Sequence, residues 1–315
     1  MAYDIIGDIH GHAQSLELLL EKLGYKQQGG IYRHPSRTAV FLGDFIDRGP
    51  QQRRVISIVR PMIESGNALA VMGNHEFNAI AYATPGPGGG FLREHNSHNF
   101  HQHRAFLDAY VDADDYHELV DWFGTLPLWL DLGGVRIVHA CWHETFVEQI
   151  QENYDLNGRL SNSLLYAACT KGTWEFNAIE TLLKGMEIAI PAGGNFKDQN
   201  GIVRHNMRMR WWDHTATTYR SAFMGDESLR TNIPDDDIVG DHLIEYSHDL
   251  PPCFVGHYWL STKPAPLAPN IACVDYSVAR KGGHLVAYRF DGETTLSTDK
   301  FVAVNAIEHA VATQP

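Results

Sequence analysis

The sequence has few cysteines, few basic residues for its acidic content, and no long hydrophobic run. Its four cysteines form no Cys-x-x-Cys pair, which argues against a disulfide framework and favours a reducing compartment. Only 25 Lys and Arg stand against 38 Asp and Glu, and the net charge of −13 makes neither a nucleic-acid polymer nor an anionic membrane an expected partner. With no stretch of 18 apolar residues and no basic leader, we expect a cytoplasmic protein.

Apolar residues are present in sufficient number for a substantial core, since 44% of the 315 residues are hydrophobic. This content suits one large domain with insertions or two small ones. We predict a single domain over residues 1–315, with a cap or insertion at about 142–250. Within that insertion the pattern predicts a helix over 164–183 and a turn between strands at 197–201.

The first third of the sequence alternates short apolar runs with longer amphipathic stretches. This order of strand, helix, strand, helix, strand predicts a layered α/β core. The corresponding segments are residues 3–6, 13–23, 39–42, 51–63 and 68–72, and Pro61 is expected to kink or end the second helix. Later segments with strand or helix patterns are 99–124 (helical), 128–139 (a hairpin), and 253–256, 271–275 and 284–290 (strands).

A polar cluster punctuated by glycine follows each of the first three apolar runs. Residues 7–11 read Gly-Asp-Ile-His-Gly, residues 43–49 read Gly-Asp-Phe-Ile-Asp-Arg-Gly, and residues 73–76 read Gly-Asn-His-Glu. Because the carboxyl ends of parallel strands meet at one edge of a sheet, we expect these clusters to lie together. His139 and His257 follow later apolar runs in the same way.

These clusters carry side chains that bind transition metals. Asp8 and His10 offer a carboxylate and an imidazole, which suit manganese, iron or zinc better than calcium. Asp44 has two carboxylate oxygens that can bridge two cations, and Asn74 offers a neutral amide oxygen. Each residue alone is more often a turn residue or a hydrogen-bonded buried histidine. Five strand ends with such residues in one chain favour a metal centre.

The combined order of these motifs resembles the calcineurin-like metallophosphoesterase superfamily, and within it the branch of phosphoprotein phosphatases and symmetric diadenosine tetraphosphatases. The matching segments cover about residues 3–76, 126–140 and 253–290, which leaves the cap outside the match. The resemblance implies a four-layer α/β/β/α sandwich of mixed sheets with a helical and hairpin cap insertion. Many members carry a second histidine two residues after the last one, where this chain has Trp259. This departure matches the phosphatase and dinucleotide branch.

The resemblance also implies a dinuclear metal centre and a mechanism. Two divalent ions are expected, with Mn²⁺ first and Fe, Zn, Co or Ni as alternatives. One ion would be held by Asp8, His10 and Asp44, and the other by Asp44, Asn74, His139 and His257.

Catalytic and substrate-binding roles follow from the same resemblance. A hydroxide shared by the two metals would attack phosphorus, and His75 would protonate the leaving oxygen. Asp47 would orient the His75 ring, while Arg48 would clamp phosphate oxygens with its planar fork and Asn74 would lie beside the substrate.

The predicted cap contains arginines and tryptophans that can contact a substrate. Phosphatases of this branch use a further arginine from the corresponding stretch; of Arg204, Arg208, Arg210 and Arg220 the first choice is Arg220 and the second Arg210. Trp211, Trp212 and Trp259 either stack on a nucleobase or aryl group or pack in the core. Four histidines resemble a metal tract but are expected on a loop and a helix surface: His95, His98, His101 and His103.

Two enzymatic functions would use the same metal cage. The first is hydrolysis of phosphate monoesters, either phosphoserine or phosphothreonine in a phosphopeptide or a small phosphate ester. The alternative is symmetric hydrolysis of a dinucleoside polyphosphate such as diadenosine tetraphosphate, favoured if the Trp211–Trp212 region lines the cleft. A noncatalytic binding module would lack a metal ligand or the Asp47–His75 pair, and neither is missing.

Overall fold

The computed structural model describes residues 2–110, 114–154, 158–191, 194–197, 203–225, 227–239, 244 and 246–307. The helices are α1 (Ala13–Leu23), α2 (Gln52–Glu64), α3 (Asn74–Ala83), α4 (Ser97–Tyr110), α5 (Tyr116–Phe123), α6 (Glu144–Tyr154), α7 (Asn162–Ala168), α8 (Trp174–Lys184) and α9 (Tyr219–Ala222). The strands are β1 (Tyr3–Ile6), β2 (Lys26–Gln28), β3 (Ile31–Arg33), β4 (Thr38–Phe41), β5 (Ala68–Ala70), β6 (Trp129–Asp131), β7 (Arg136–Val138), β8 (Glu187–Ala189), β9 (Phe196–Lys197), β10 (Val203–Arg204), β11 (Asn206–Arg208), β12 (Cys253–Val255), β13 (Ile271–Cys273), β14 (Asp275–Tyr276), β15 (His284–Phe290) and β16 (Phe301–Asn305).

Two mixed sheets form the centre of the fold. The first has the order β14-β15-β1-β4-β5, with β16 also paired to β15. Its strands β1, β4 and β5 are parallel, and β15 runs antiparallel to β1. The second sheet has the order β13-β12-β7-β6; β13, β12 and β7 are parallel, and β6 closes it as an antiparallel hairpin partner of β7.

The two sheets pack face to face through an apolar layer. Ile5 and Val40 of the first sheet belong to the same buried cluster as Ile137, Phe254 and Ala272 of the second. Burial of both faces explains why these strands read as continuous apolar runs rather than as alternating patterns.

Helices cover the outer faces of the sheets. In α1 the residues Leu16, Leu19, Leu20 and Leu23 repeat at helical spacing and are all buried. The helix ends at Gly24, whose φ of 98° allows its amide to bond back to the last turn. With α1 and α2 packed on the first sheet, the α/β/β/α sandwich predicted from the sequence is confirmed.

The structure corrects one local prediction for the helices and narrows another. The continuous helix predicted over 164–183 is broken into α7 and α8, because Gly172 adopts a φ of 92° and the Thr173 hydroxyl then caps a new helix through the amide of Phe176. Of the two alternatives for Pro61, the structure excludes an end of the helix, because α2 continues past Pro61 to Glu64.

The segment predicted as a cap contains α6 to α9 and four short strands. Its strands pair only with one another among the described residues, β8 with β11 and β9 with β10. The predicted turn at 197–201 falls largely outside the described residues. In the part of the chain that the structure covers, no helix has the length and apolar character needed to cross a bilayer.

Candidate metal centre

The candidate ligands lie at one edge of the sandwich, where the parallel strands of both sheets end. Asp8 and His10 follow β1, Asp44 follows β4, and Asn74 starts α3, the next element after β5. From the second sheet, His139 follows β7 and His257 follows β12. All six side chains are buried.

Asp44 lies at the centre of this group. Its Oδ2 atom is 3.4 Å from His139 Nε2, 3.6 Å from His10 Nε2 and 3.9 Å from His75 Nε2. Two sets of possible ligand atoms share this carboxylate, one with His10 and His75 and one with His139 and His257, and within each set the atoms lie no more than 4.8 Å apart. A shared carboxylate between two clusters is the arrangement expected of a bridging ligand.

Asn74 and Asp8 complete the two clusters. The Asn74 Oδ1 atom lies 2.8 Å from His257 Nδ1 and 3.1 Å from His139 Nε2. Asp8 Oδ2 accepts a hydrogen bond of 3.1 Å from the backbone amide of His257, which ties the loop after β12 to the loop after β1. The structure therefore brings together all six predicted ligands.

The donor set fits divalent cations. His10 Nδ1 donates to the Ile46 carbonyl at 2.9 Å, and His139 Nδ1 donates to the Leu42 carbonyl at 2.5 Å. A neutral imidazole has one N–H, so with Nδ1 as the donor both Nε2 atoms would offer a lone pair to a cation beside the Asp44 carboxylate. Among the described residues, His10 Nε2 and His257 Nε2 are buried without a hydrogen-bond partner. Cations between these acceptors would satisfy them, and mixed nitrogen and oxygen donors suit manganese, iron or zinc.

In the absence of a cation, the His139 ring carries a proton on the side that faces Asp44. Burial disfavours the imidazolium form of His139, but the Asp44 carboxylate outweighs burial and raises the pKa of His139 to about 10. The pKa of Asp44 is held well below its usual value, because the attraction of His139 and His75 exceeds the cost of burial. Burial, together with the charge of Asp275, raises the pKa of Asp8 well above its usual value.

The loops at this edge hold the backbone in an unfavourable conformation. Among the described residues, the non-glycine positions with positive φ all belong to this region: His10, Asp44, Asp47, Arg48, His257, Trp259 and Ser277. Each left-handed residue costs about 1–2 kcal/mol, so packing elsewhere must hold these loops in place. Glycine permits the closest approaches: a Cβ at Gly73 would lie 2.3 Å from Asp44 Oδ1.

A histidine on each side of Asp47 forms the second part of the site. His75 Nδ1 lies 2.6 Å from Asp47 Oδ2, and His103 Nδ1 lies 2.8 Å from Asp47 Oδ1. Although burial opposes ionisation, these two hydrogen bonds lower the pKa of Asp47 to about 2. The prediction that His103 is a surface residue was wrong, because α4 folds back over Asp47 and leaves His103 only 4% exposed.

A cavity of about 1180 Å³ opens in front of the six candidate ligands and reaches the segment predicted as a cap. Arg48 lines it, with its guanidinium carbon 3.6 Å from the ring centroid of Trp259, and Arg280 stacks on the same indole at 4.4 Å. The insertion contributes Arg204 and Arg208 to the lining.

The structure does not bring the two preferred cap arginines to this cavity. Arg220 is paired with Asp235, and it lines a separate depression together with Arg210. Trp211 and Trp212 are buried in the core and do not line the cavity, so the condition that would have favoured the dinucleotide alternative from the sequence is not met. The Trp211 Nε1 atom donates to the Tyr258 hydroxyl at 3.2 Å. Arg208 ends β11 between the buried residues Met207 and Met209, and this alternation could have indicated that Arg208 points away from the core.

Two buried carboxylates were given no role from the sequence. Glu76 accepts hydrogen bonds from the backbone amides of Asp44, Phe45 and Gly73, and so locks two of the site loops together. Asp275 accepts one from the amide of Trp259 at 2.7 Å. The motif at 73–76 contained a signal for Glu76, whereas Asp275 stands in an apolar strand run.

Comparison with known families agrees with this geometry. A model described as calcineurin-like phosphoesterase matches residues 1–258. The chain belongs to the calcineurin-like phosphoesterase family. The family predicted from the motifs is therefore confirmed.

Curated relatives in this family match only parts of the chain. The asymmetrical bis(5'-nucleosyl)-tetraphosphatase PrpE of Oceanobacillus iheyensis is 31% identical over 141 residues, which cover 44% of this chain and 55% of that protein. A relative of the same name from Halalkalibacterium halodurans is 46% identical over 76 residues, 24% of this chain and 31% of that protein. The chain thus spans about half, or less, of the length of these relatives.

Solved phosphatases share the fold of this family member. A protein serine/threonine phosphatase from Saccharomyces cerevisiae with similarity to human phosphatase PP5 superposes with a TM-score of 0.52 at 17% identity, over 99% of this chain and 82% of that one. A cold-active protein tyrosine phosphatase gives a TM-score of 0.50 at 15% identity, over 93% of this chain and 78% of that one. At such identities the likeness shows the fold alone.

Proposed function

We propose that this phosphoesterase hydrolyses dinucleoside polyphosphates at a dinuclear metal centre. The observation that carries the proposal is the charge of the cavity in front of the cage. Among the described residues that line it there are seven Arg or Lys and four Asp or Glu, although the whole chain has a net charge of −13. Two of those four acids are Asp44, a candidate metal ligand, and Asp47, the hydrogen-bond partner of His75. A local excess of positive charge selects a polyanion.

The size of the cavity supports the same substrate class. Pockets for compact ligands measure roughly 300–1,000 Å³, and the cavity here is about 1180 Å³. It therefore has room for more than one phosphate group and an attached nucleoside. The curated relatives are named as tetraphosphatases of bis-nucleosyl substrates, which supports the proposal for this chain.

The chain's own residues supply orientation and proton transfer. Asp8, His10, Asp44, Asn74, His139 and His257 would hold the two metals. When bound, two divalent cations supply an activated water and neutralise phosphoryl charge. Arg48, pinned against Trp259, is placed to hold two oxygens of the scissile phosphate with its planar fork.

His75 is the proposed general acid. Its Nδ1 atom is fixed by the ionised Asp47, so its Nε2 atom faces the cage and can give a proton to the leaving oxygen. We assign the substrate-binding role that was first given to Arg220 and Arg210 to Arg208, since Arg208 lines the cavity. We also propose that residues 142–250 act as the cap that closes the cavity.

Hydrolysis of phosphate monoesters is the second candidate function. The candidate metal ligands, Arg48 and the His75–Asp47 pair need only one phosphate group, so a phosphopeptide or a small ester would meet the same chemistry.

Manganese as the native metal is a proposal from the donor set. The cytoplasm is a proposal supported by four free cysteines, three of them buried.

A substrate comparison tests the proposal. Purified Mn²⁺-loaded protein is given diadenosine tetraphosphate, a phosphoserine peptide and nitrophenyl phosphate, and kcat/KM is measured for each. We expect the dinucleotide to be preferred by about tenfold or more over both monoesters. A preference for the phosphopeptide would overturn the proposal in favour of the second candidate.

A further inference from the structure

Arg93 is a cation of the cavity lining, and its hydrogen-bond partners lie on the two helices that carry His75 and His103. Its Nη1 atom donates to Asn78 Oδ1 at 3.0 Å, and its Nη2 atom donates to Gln102 Oε1 at 2.8 Å. Asn78 lies three residues after His75 on α3, and therefore on the neighbouring turn of the same helical face. Gln102 directly precedes His103 on α4. The guanidinium is thus fixed between the two helices that carry the acid and its supporting histidine.

The partners of Arg93 leave its charge uncompensated. Both acceptors are neutral amides, and among the described residues no carboxylate lies within ion-pair distance of Arg93. Asp47 and Glu180 attract it only from further away. Other cations of the lining differ: Lys184 is paired with Glu180, and Arg208 with Glu187. A partly buried, oriented guanidinium without a carboxylate is available for an anion from the substrate.

The substrate anion available to Arg93 is best understood from the bonds that hydrolysis forms and breaks. Hydrolysis forms a bond between the water oxygen and phosphorus and breaks the bond from phosphorus to the bridging oxygen. The leaving group keeps that electron pair and takes the His75 proton. We propose that Arg93 binds a phosphate of the leaving group, an inference that rests on the proposed function. The enzyme would then select phosphoanhydrides over esters of uncharged alcohols.

A substrate-dependent comparison of variants tests this role. In the full-length Mn²⁺-loaded protein, Arg93→Gln should lower kcat/KM for diadenosine tetraphosphate by about 10–100-fold, as expected for one lost charge-assisted contact. The fall for nitrophenyl phosphate should be at least tenfold smaller. Arg93→Lys keeps the charge and should recover part of the loss. The control is Arg53→Gln, an exposed arginine of α2 paired with Asp115 outside the cavity, and it should match the wild type.

Product inhibition separates failure of this inference from failure of the proposed function. In the wild type, ADP should inhibit nitrophenyl phosphate hydrolysis more strongly than AMP, and Arg93→Gln should remove that preference. If the wild type hydrolyses no dinucleotide but keeps an Arg93-dependent preference for ADP, the proposed function fails and the anion site stands. Equal losses on both substrates, or an unchanged preference for ADP in Arg93→Gln, would overturn the role of Arg93.

Discussion

Asp47 accepts a histidine hydrogen bond on each of its two carboxylate oxygens, from His75 on one side and from His103 on the other. The second contact fixes the rotation of the carboxylate and therefore the direction of the first. His103 also packs against Phe106, with ring centroids 4.8 Å apart, so that its own position is fixed by the core of α4. His103 is thus a positioning residue that acts on the acid through Asp47.

Removal of the His103 hydrogen bond should weaken acid catalysis. We expect His103→Leu to lower kcat for phenyl phosphate, a poor leaving group, by about tenfold, and kcat for nitrophenyl phosphate by much less. His103→Asn keeps an N–H near the Nδ1 position and should restore most of the activity. Steady-state kinetics on both esters measure the effect, with exposed His117→Asn on α5 as the control. A purely structural role would lower both rates alike and would not be rescued by Asn.

That the candidate metal ligands lie together could be predicted from sequence, because each stands within a few residues of the apolar run that positions it. Asp8, Asp44 and Asn74 belong to short glycine-containing motifs, and parallel strand ends must meet at one edge of a sheet. The α/β order was predictable for the same reason, since strand and helix periods are local properties.

Contacts between distant segments were not predictable in this way. His103 lies 56 residues after Asp47 on a helix with many exposed polar side chains, and nothing local shows that it turns inwards. Arg93 follows an irregular glycine-rich stretch, so its position beside Asn78 depends on how α4 packs. For Arg208 a local signal exists in the alternation with the buried residues Met207 and Met209, but that alternation does not show which element its exposed face meets.

Loss of the bridging carboxylate should empty both metal positions. Asp44→Asn replaces one charged oxygen with a neutral amide at the point shared by His10 and His139. We expect bound Mn²⁺ to fall from two ions to fewer than one per chain after dialysis, and activity to fall by at least about 1,000-fold. Elemental analysis measures the metal, with the exposed Asp121→Asn on α5 as control. A variant that retains two ions would contradict a bridging role.

Replacement of the proposed acid should spare the metals. His75→Asn removes the Nε2 proton donor while the six ligands remain, and we expect two Mn²⁺ ions to stay bound. The rate should fall about 100-fold or more for phenyl phosphate and much less for nitrophenyl phosphate, since general acid catalysis contributes about 10²–10⁴-fold where the leaving group needs a proton. Equal losses on both esters would exclude His75 as the acid.

Metal affinity should rise with pH. In the metal-free protein the pKa of His139 is raised to about 10, so the ring carries a proton at neutral pH that the metal must displace. Because proton loss becomes easier as pH rises, the apparent Mn²⁺ association constant should increase with pH, by about tenfold per pH unit between pH 7 and 8. Titration calorimetry in two buffers of different ionisation enthalpy measures the released proton. An affinity independent of pH would show that His139 is neutral before metal binding.

A methyl group at Gly256 should displace a metal ligand without touching the chemistry directly. A Cβ there would lie 2.2 Å from Asp8 Oδ1, a separation that no relaxed structure tolerates, so the carboxylate or the loop before His257 must move. We expect Gly256→Ala to lose at least one Mn²⁺ ion and most of its activity. In Gly134→Ala, a Cβ meets no atom within 4 Å, and this control should keep both. Because the clash lies at the ligand and not in the apolar layer between the sheets, the metal-free variant should unfold within a few degrees of the metal-free wild type. Thermal melting in chelator tests this: a large drop in Tm would place the damage in the sandwich instead of the cage.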